Sequence, residues 1–473
     1  MRHNSLEKEV GLYKNSLGKE VGLYKNSLIK KMELKRKIND YLRNWKQDID
    51  HKPLIIKGCR QCGKTFSVQN FAYQNYKNVI YINFIEKPKL AEAFQDSLNV
   101  DDIMMNLTAL GVASINEPGD TCLVLDEIQE CPEARTALKF FKIDGRIDVI
   151  ATGSLLGVKG YGVHGDAPAS IPVGYETIVT MYPLDFEEFL WANGITASII
   201  DRLKEHYETL TPVTTAIHSS MRQLLHQYTI VGGLPEAVNT FIATHDITKV
   251  QDVQRAIIIG YEEDMIKYAD SFDRSKIREC FESIPKQLSK ENKKFQYSVV
   301  RIGGKSSHYI GSLQWIEDAG VIQRCYNLDF PELPLDGNAI NNQFKVYMAD
   351  TGLFVSTLEQ GTAADILRGN LFGYKGAIFE NLIADIFGKM GRKLYYYRKD
   401  SGLEIDFVIR YKNKCTLVEV KAITGDAKSL KTILSHPEKY HIDSAIKLGD
   451  YNIGQKGPLV TLPTYLAFLL QYY

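Results

Sequence analysis

Short apolar runs alternate with longer amphipathic stretches in the first part of this chain. The apolar runs lie at residues 53–58, 78–84, 121–127, 147–153 and 176–184. Helical patterns fill the intervals between the first four runs. Each run is almost continuously apolar, which is typical of strands in a parallel sheet that helices cover on both faces. The pattern therefore predicts an α/β fold with a parallel sheet.

The pattern changes after residue 184. Residues 185–270 are mostly helical, and the sequence Gly-Gly-Leu-Pro within them predicts a sharp corner between two helices of a lid or small bundle. Residues 275–327 read helix, basic turn, helix and strand, which is typical of a winged-helix domain. The last part predicts a helix at residues 379–387 and strands at residues 402–410 and 415–422.

The N-terminus contains a duplication. Residues 5–15 read SLEKEVGLYKN and residues 16–26 read SLGKEVGLYKN. Two units are too few for a solenoid, which needs at least three stacked repeats. We interpret residues 1–31 as a recent duplication that is disordered and dispensable. Met32 opens a helix pattern and is, beside Met1, a candidate for the functional start.

Composition and charge limit the class of protein without identifying a partner. The 473 residues are 44% apolar and 24% charged, and 57 Lys and Arg balance 57 Asp and Glu. Charge is nevertheless uneven, with a net of +6 over residues 274–310 and +5 over residues 392–431. No apolar segment is long enough to span a membrane, so we expect no membrane partner.

The seven cysteines are scattered along the chain. Cys59 and Cys62 form a C-x-x-C pair, but no second Cys or His pair lies nearby to complete a zinc site. We interpret these two as small side chains that fill loop positions, with a redox or metal role as the alternative. Scattered, reduced cysteines are typical of a cytoplasmic protein.

Two motifs in the first part carry chemistry, and the first is GCRQCGKT at residues 58–65. It follows an apolar run and precedes a helix pattern. Such a loop wraps a phosphate, its lysine reaches the β and γ oxygens, and its threonine hydroxyl binds Mg²⁺. The predicted nucleotide-binding residues are Gly58, Cys59, Arg60, Gln61, Cys62, Gly63, Lys64, Thr65 and Phe66.

The second motif is LVLDE at residues 123–127. Asp126 ends a strand, where it can hold the metal, and Glu127 can orient and deprotonate the attacking water. Ser154 follows the fourth run, where it can sense the γ-phosphate or hold that water; a simple turn is the alternative. A glycine turn with a buried acid on an unrelated sheet is the alternative for both motifs. The predicted catalytic residues are Glu127, Lys64 and Ser154, and the predicted metal ligands are Thr65 and Asp126.

The last part of the chain carries a second group of charged residues. A short polar turn joins its two strands, so Asp406 is expected beside Glu419, and Lys421 shares a strand face with Glu419. Glu380 lies on the preceding helix. Such a group can bind Mg²⁺ and activate water for phosphodiester cleavage. A surface hairpin with alternating charges is the alternative.

From residue 32 onwards the chain resembles a bacterial and archaeal family of AAA-type P-loop ATPases. The segments that carry the resemblance include GCRQCGKT, VLDEIQECPEA, ATGSLL, YPLDFEEFL, VGGLPEAV, YMADTGLF, EIDFVIR and LVEVKA. It implies a parallel-sheet AAA-type core, a helical lid, a winged helix and a C-terminal α/β restriction-endonuclease-like (PD-(D/E)xK) domain. It also implies ATP rather than GTP, and it matches Glu380, Asp406, Glu419 and Lys421 to an endonuclease-like core that is often retained without cleavage.

The resemblance and the patterns together divide the chain into five parts. We predict a duplicated segment at residues 1–31, an ATPase core at residues 32–190, a helical lid at residues 191–270, a winged-helix-like part at residues 271–345 and an endonuclease-like domain at residues 346–473.

Three functions are compatible with these features. The first is an ATPase, using ATP and Mg²⁺, that couples its nucleotide state to DNA engagement by the C-terminal region. The second adds a Mg²⁺-dependent nuclease, and the third is a nucleotide-gated switch that binds a protein. The residues that a winged helix would present to DNA are Lys293, Lys294, Arg301, Lys305, Ser306 and Ser307.

The first hypothesis includes a homo-oligomer, because a partner subunit is a common source of a catalytic arginine. Within this chain the candidates for such an arginine include Arg135, Arg146 and Arg255. Nothing in the sequence selects one of them.

Overall fold

The computed structural model describes residues 33–112, 120–154, 174–268, 274–290, 293–369 and 375–471. The duplicated segment at residues 1–31, predicted to be disordered, lies outside the described residues. The strands of the first sheet are β1 (Leu54–Lys57), β2 (Asn78–Asn83), β3 (Thr121–Asp126), β4 (Asp148–Gly153) and β5 (Thr177–Thr180). Their order is β2-β3-β4-β1-β5, and all four pairings are parallel. The predicted parallel sheet is therefore confirmed.

Helices cover both faces of this sheet, as near-continuous apolar strands require. They are α1 (Lys37–Gln47), α2 (Lys64–Asn75), α3 (Val100–Ala109) and α4 (Pro132–Asp144), with 3-10 turns at Pro88–Phe94 and Ile128–Glu130. Leu123 and Leu125 of β3 pack with α3 and α4. Cys122 and Val124, which point to the other face, pack with α1 and α2.

The first helix begins later than the sequence pattern predicts. Helix α1 begins at Lys37, whereas the prediction placed its start at Met32. Residues 34–36 have no helical structure, and Arg36 has an extended backbone (φ −128°, ψ 144°). Contacts of the buried Arg36 side chain with distant carbonyl oxygens hold this segment in its extended form.

Helices follow the sheet where the sequence predicts a lid, and we refer to them as the lid. Its helices are α5 (Phe186–Ala192), α6 (Ala197–Thr209), α7 (Thr215–Val231), α8 (Pro235–Thr244) and α9 (Ile247–Tyr268). The predicted corner lies between α7 and α8. A Cβ atom on Gly233 would lie 2.0 Å from the carbonyl oxygen of Leu184, so only glycine permits this close approach of the two backbones.

The predicted order of helix, turn, helix and strand follows the lid. Its elements are α10 (Arg274–Leu288), α11 (Tyr297–Val300), α12 (Ser306–Asp318), β6 (Ile322–Leu328) and β7 (Ala339–Met348). Strands β6 and β7 form an antiparallel hairpin. On its other edge β6 pairs in parallel with β8 (Leu394–Arg398), which pairs with β9 (Glu404–Ile405). The hairpin is therefore half of a four-stranded sheet rather than a free wing.

The C-terminal part adds a second five-stranded sheet, of order β10-β11-β12-β14-β13. The remaining strands are β10 (Phe407–Tyr411), β11 (Lys414–Val420), β12 (Ala445–Gly449), β13 (Gly454–Lys456) and β14 (Leu459–Pro463). The remaining helices are α13 (Thr351–Ser356), α14 (Thr362–Arg368), α15 (Lys375–Lys389), α16 (Lys428–Leu434) and α17 (Pro437–Tyr440), with a final 3-10 segment at Thr464–Gln471.

Two of the predicted domain boundaries fall inside secondary-structure elements. The boundary after residue 190 lies in α5, and the boundary after residue 345 lies in β7, which continues to Met348 in its pairing with β6. One apolar core also includes residues of the lid, of α12 and of β10, for example Tyr228, Leu313 and Phe407. Among the described helices, none combines the length and the apolar character that crossing a membrane requires.

Candidate functional site

The phosphate loop joins β1 to α2 at the carboxyl edge of the first sheet. Gly63 lies in the left-handed region with φ +97°, which favours glycine. A Cβ atom on Gly58 would lie 2.1 Å from the carbonyl oxygen of Met181. Both glycines of the motif are therefore required by backbone geometry, one by its conformation and the other by a close approach to the chain after β5.

Lys64 is the first residue of α2, and it is only 7% exposed. Its ammonium donates hydrogen bonds to the carbonyl oxygens of Gly58 at 2.9 Å and Cys59 at 2.8 Å. These bonds hold a positive charge inside the loop at the N-terminus of a helix, where an anion is already favoured.

Asp126, at the end of β3, accepts hydrogen bonds from four side chains. The hydroxyl oxygen of Thr65 lies 3.1 Å from each carboxylate oxygen of Asp126. The Tyr81 hydroxyl donates to the same carboxylate at 2.7 Å, and the Asn83 amide donates at 3.2 Å. The hydroxyl of Thr152 is the fourth donor. The donors come from α2, β2 and β4, whose ends meet at one edge of the sheet. Asp126 is 2% exposed. Its carboxylate is therefore fixed in one orientation directly behind the Thr65 hydroxyl.

Glu127 follows in the left-handed conformation, with φ 56°. This turn, which is uncommon for a residue with a side chain, directs Glu127 away from the strand. Its Oε2 atom accepts hydrogen bonds from Gln129 at 2.5 Å and from Ser154 at 3.3 Å. The structure therefore places the predicted water-activating acid and the predicted polar sensor in contact.

These groups surround a cavity of about 700 Å³, within the size range of small-molecule sites. The predicted residues that line it are Arg60, Gln61, Gly63, Lys64, Thr65, Phe66, Glu127 and Ser154. Leu34, Arg36, Ser67 and one face of α8 complete the wall. Cys62 is fully buried behind the loop, whereas Gly58 and Cys59 face a second cavity of about 370 Å³.

Arg36 supports the loop, and the sequence analysis did not identify it. Its guanidinium donates to the carbonyl oxygens of Cys62 at 3.0 Å and Tyr182 at 2.6 Å, and it pairs with the buried Glu188 at 3.2 Å. Tyr182 lies 146 residues away in the chain, so no local pattern indicates the contact. By contrast, Tyr81 and Asn83 alternate on β2 and could have been predicted to meet Asp126 at the sheet edge.

The two loop cysteines contact each other through their thiols. The hydrogen bond to Cys62, together with burial, raises the pKa of the Cys59 thiol well above its usual value. The hydrogen bond from Cys59, with the nearby charges of Lys64 and Arg36, lowers the pKa of Cys62 to about 6. Both thiols are free, and both are buried as the predicted loop-filling role requires.

All three arginines that were considered as a catalytic arginine form ion pairs within the chain. The pairs are Arg135 with Glu176, Arg146 with Asp101 and Asp144, and Arg255 with Asp252. Arg135 binds both carboxylate oxygens of its partner. None of the three lines the 700 Å³ cavity.

The predicted acids of the C-terminal part converge in a second location. The hairpin pairs Phe407 with Val418, which places Asp406 opposite Glu419, as predicted. Asp406 accepts a hydrogen bond from the backbone N–H of Val420 at 2.7 Å. Burial, followed by the charges of Glu380 and Glu419, raises the pKa of Asp406 well above its usual value.

Lysines neutralise this acidic cluster. Lys345 is fully buried, with its ammonium 2.8 Å from Glu404 and 3.5 Å from Glu380. Lys293 also pairs with Glu380, and Lys421 pairs with Glu419 at 2.6 Å. Lys293, whose side chain is 15% exposed, is therefore paired inside this cluster rather than free at the surface.

Mg²⁺ fits the first site, whereas lysines pair with two of the acids in the second. Over the described ranges, no three His, Cys, Asp or Glu side chains are grouped to hold a metal ion. The first site needs no such group, because Mg²⁺ in nucleotide sites takes few protein ligands and several phosphate oxygens. In the second site Glu380 is paired with Lys293 and Lys345, and Glu419 is paired with Lys421. Asp406 instead accepts a hydrogen bond from the backbone N–H of Val420.

The loop, the acid-ended strand and the parallel sheet define a P-loop nucleotide-binding protein. Family comparison narrows this class, since residues 50–190 match the AAA domain family. This match supports an AAA-type ATPase domain over residues 50–190. Residues 222–364 and 375–465 match two domains of unknown function, DUF8612 and DUF4143. No curated protein matches the sequence.

Three solved structures with partial similarity are the following. The Walker-type ATPase of Pyrococcus abyssi is 14% identical, covering 69% of this chain and 97% of its own, with a TM-score of 0.39. The Aeropyrum pernix Orc1 protein in complex with DNA is 10% identical (72% and 94% covered, TM-score 0.31). The Thermotoga maritima RuvB branch migration motor is 14% identical (62% and 90% covered, TM-score 0.29).

Proposed function

We propose that this chain hydrolyses ATP and that its nucleotide state controls DNA binding by the C-terminal half. The observation that carries the ATPase part is the meeting of Lys64, Thr65, Glu127 and Ser154 around one cavity. Phosphoryl transfer needs little covalent chemistry from the protein, so positioned charges of this kind are sufficient for catalysis.

In this proposal each side chain has a separate task. The loop N–H groups and Lys64 bind the β- and γ-phosphates, and Glu127 accepts a proton from the attacking water. Ser154, which donates to Glu127 at 3.3 Å, orients that carboxylate. Thr65 and Asp126 are the residues that would hold Mg²⁺, which when bound offsets negative charge on the phosphates.

A buried ionic network supports coupling between the nucleotide cavity and the C-terminal half. Asp350 accepts a hydrogen bond from the N–H of Gly233 at 2.7 Å, just before helix α8 enters the cavity wall. Lys389 lies 3.4 Å from Asp350 and 2.7 Å from Asp385, and it donates to Tyr228 at 2.9 Å. A shift of α8 on nucleotide binding would therefore disturb charges on α15.

DNA is the proposed partner because of the surface around the N-terminus of α12. Arg301 is 73% exposed, and Lys305, Ser306 and Ser307 are also exposed. A helix N-terminus with nearby basic side chains binds phosphate groups favourably. Lys293, which pairs with Glu380, takes no part in this surface.

The test is ATP hydrolysis by the full chain with and without single- and double-stranded DNA. Stimulation by DNA would support both parts of the proposal. If DNA does not change the rate of hydrolysis, the ATPase part of the proposal stands, and the result favours a nucleotide-gated switch that binds a protein. Absence of hydrolysis would reject the ATPase.

Replacing Arg301 and Lys305 together by alanine should weaken DNA binding. Each phosphate contact that is lost reduces the dependence of log affinity on log salt by about one unit. The slope, measured by fluorescence anisotropy of labelled DNA at several salt concentrations, should therefore fall by about two. Lys249→Ala, an exposed lysine on α9, is the matched control. An unchanged slope in the double variant would remove this surface from the proposal.

We expect no Mg²⁺-dependent DNA cleavage by the C-terminal cluster, because Lys293 and Lys345 pair with Glu380 and Lys421 pairs with Glu419. Supercoiled plasmid incubated with the full chain, ATP and Mg²⁺ should remain uncut on a gel. Cleavage that Asp406→Ala abolishes, with ATP hydrolysis intact, would instead establish the nuclease hypothesis.

A further inference from the structure

Arg60 lies between the nucleotide cavity and the C-terminal half of the chain. It is the third residue of the motif GCRQCGKT, and it lines the 700 Å³ cavity. Arg60 also lines a crevice between α9 and the end of α12. The other residues of this crevice are Tyr261, Asp264, Met265, Trp315, Ala319 and Val321. One residue of the phosphate loop therefore adjoins both the nucleotide cavity and two helices outside the first sheet.

Two residues of α9 hold Arg60 in this position. The Arg60 guanidinium donates a hydrogen bond to the Asp264 carboxylate at 2.7 Å, and the side chain of Asp264 is 12% exposed. The hydroxyl of Tyr261 donates to the backbone carbonyl oxygen of Arg60 at 3.1 Å. Both the side chain and the backbone of Arg60 are therefore attached to one helix.

The turn after α12 contacts the phosphate loop directly. A Cβ atom on Gly320 would lie 3.3 Å from the Cβ atom of Cys59 and 3.4 Å from its backbone nitrogen. Helix α12 has 13 residues, so it is about 20 Å long. The residues that are proposed to bind DNA lie at its opposite, N-terminal end. Helix α12 therefore spans the distance between the phosphate loop and the proposed DNA surface.

The polar groups of the loop have two alternative partners. In this structure the Lys64 ammonium donates to the carbonyl oxygens of Gly58 and Cys59, the two residues before Arg60. A phosphate in the loop competes with these carbonyl groups for the same ammonium, because a charged acceptor forms the stronger hydrogen bond. Nucleotide binding therefore changes the bonding of the backbone that leads into Arg60.

We propose that Arg60, held by Asp264, transmits nucleotide binding from the phosphate loop to α12 and so to DNA at the other end of that helix. This inference rests on the proposed function, since it assumes a nucleotide in the loop and DNA at α12. Packed interfaces switch between discrete arrangements, so a small shift of the loop can move α12 as a unit. The connection is separate from the network at Asp350, which contacts the start of α8.

The test measures how strongly nucleotide changes the affinity for DNA. Fluorescence anisotropy of labelled duplex DNA gives the affinity of the full chain with and without a saturating non-hydrolysable ATP analogue. In the wild type we expect the two affinities to differ by at least about fivefold. Asp264→Asn keeps the size of the side chain but removes its charge, so the ratio of the two affinities should fall to about one. Its rate of ATP hydrolysis without DNA should stay close to that of the wild type.

Coupling between two sites is reciprocal, which provides a second readout. DNA should change the affinity of the wild type for the analogue by the same factor, and this effect should also disappear in Asp264→Asn. A residue that only stabilises the fold would not change the two ratios together. Asp252→Asn is the matched control, because Asp252 is an exposed aspartate on the same helix that pairs with Arg255. This control should keep both wild-type ratios.

Tyr261→Phe decides the case if Asp264→Asn does not fold. It removes only the hydroxyl that donates to the Arg60 carbonyl oxygen, and the ratio of the DNA affinities should fall by at least about twofold. Loss of the ratio in Asp252→Asn as well would show that the effect is not specific to Arg60, and would overturn the inference.

The outcomes distinguish this inference from the proposed function. If the analogue changes the DNA affinity of the wild type, and both Asp264→Asn and Tyr261→Phe keep the full ratio, the role of Arg60 is wrong and the proposed function stands. If the wild type hydrolyses ATP and binds DNA but its ratio is one, the proposed coupling and the role of Arg60 are both wrong. A wild type that does not bind DNA also overturns both.

Discussion

Replacing Glu127 by glutamine should reduce ATP hydrolysis by at least about 10²- to 10⁴-fold and leave ATP binding intact. This range is the usual contribution of a positioned general base. Glutamine keeps the shape of the side chain and its contacts with Gln129 and Ser154, but it cannot take a proton from water. Phosphate release gives the rate, and a fluorescent ATP analogue gives the affinity.

Lys64→Ala should lose binding as well as hydrolysis, because it removes a buried charge-assisted contact to the phosphates. The pair of variants therefore separates chemistry from affinity. Glu133→Gln, an exposed acid on α4, is the control and should behave as the wild type. Normal hydrolysis by Lys64→Ala would show that the nucleotide site is assigned to the wrong residues.

Replacing Lys345 by methionine should destabilise the protein by about 3–5 kcal/mol, the usual cost of removing one partner from a buried ion pair. Methionine fills a similar volume, so the loss is mainly electrostatic. It leaves the carboxylates of Glu380 and Glu404 without the ammonium that lies between them, 3.5 Å and 2.8 Å away. Urea unfolding of the full chain measures the change.

The contribution of this ion pair to stability should decrease as the pH falls. Although burial opposes ionisation, Lys345 and then Lys293 lower the pKa of Glu380 to about 2, against a usual value of 4.5. The ionised Glu380 therefore contributes stability above about pH 4.5, and this contribution is lost as the pH falls toward 2. In Lys345→Met the pKa of Glu380 should rise, so that the acid-induced loss begins at a higher pH.

Two further variants keep this prediction testable. Lys305→Met changes an exposed lysine and should alter stability by less than about 0.5 kcal/mol. Adding Glu380→Gln to Lys345→Met should recover part of the lost stability, because it removes one of the unpaired charges. If Lys345→Met is as stable as the wild type at pH 7, the ionic cluster does not stabilise the fold.

The meeting of the phosphate loop with Asp126 and Glu127 could be predicted because the signals for it are local. The phosphate loop is contiguous in sequence, and Asp126 and Glu127 follow directly from the end of a buried strand. Parallel strands end at one edge, so these elements had to meet there. The same reasoning also predicts the contacts of Tyr81 and Asn83, which lie at the end of β2, with Asp126.

The C-terminal cluster was predicted only in part. The turn of the hairpin was readable, so Asp406 and Glu419 were correctly placed side by side. The position of Lys345 could not be predicted from the sequence. Lys345 lies on β7, and its contact with Glu404 depends on the pairing of β6 with both β7 and β8. A strand pairing that joins segments far apart in the chain leaves no periodic signal in either segment.

The sequence by itself determined the parallel sheet, the phosphate loop and the position of Asp126 and Glu127 at the end of β3. Each of these features depends on residues that are neighbours in the chain or that lie on one strand. Only the tertiary structure decided that Arg36 braces the loop, that Lys293 and Lys345 neutralise the acidic cluster and that Arg60 pairs with Asp264. The physical reason is that burial and charge pairing depend on which distant segments pack together. The hydrophobic periodicity of one segment does not predict which distant segment it will contact.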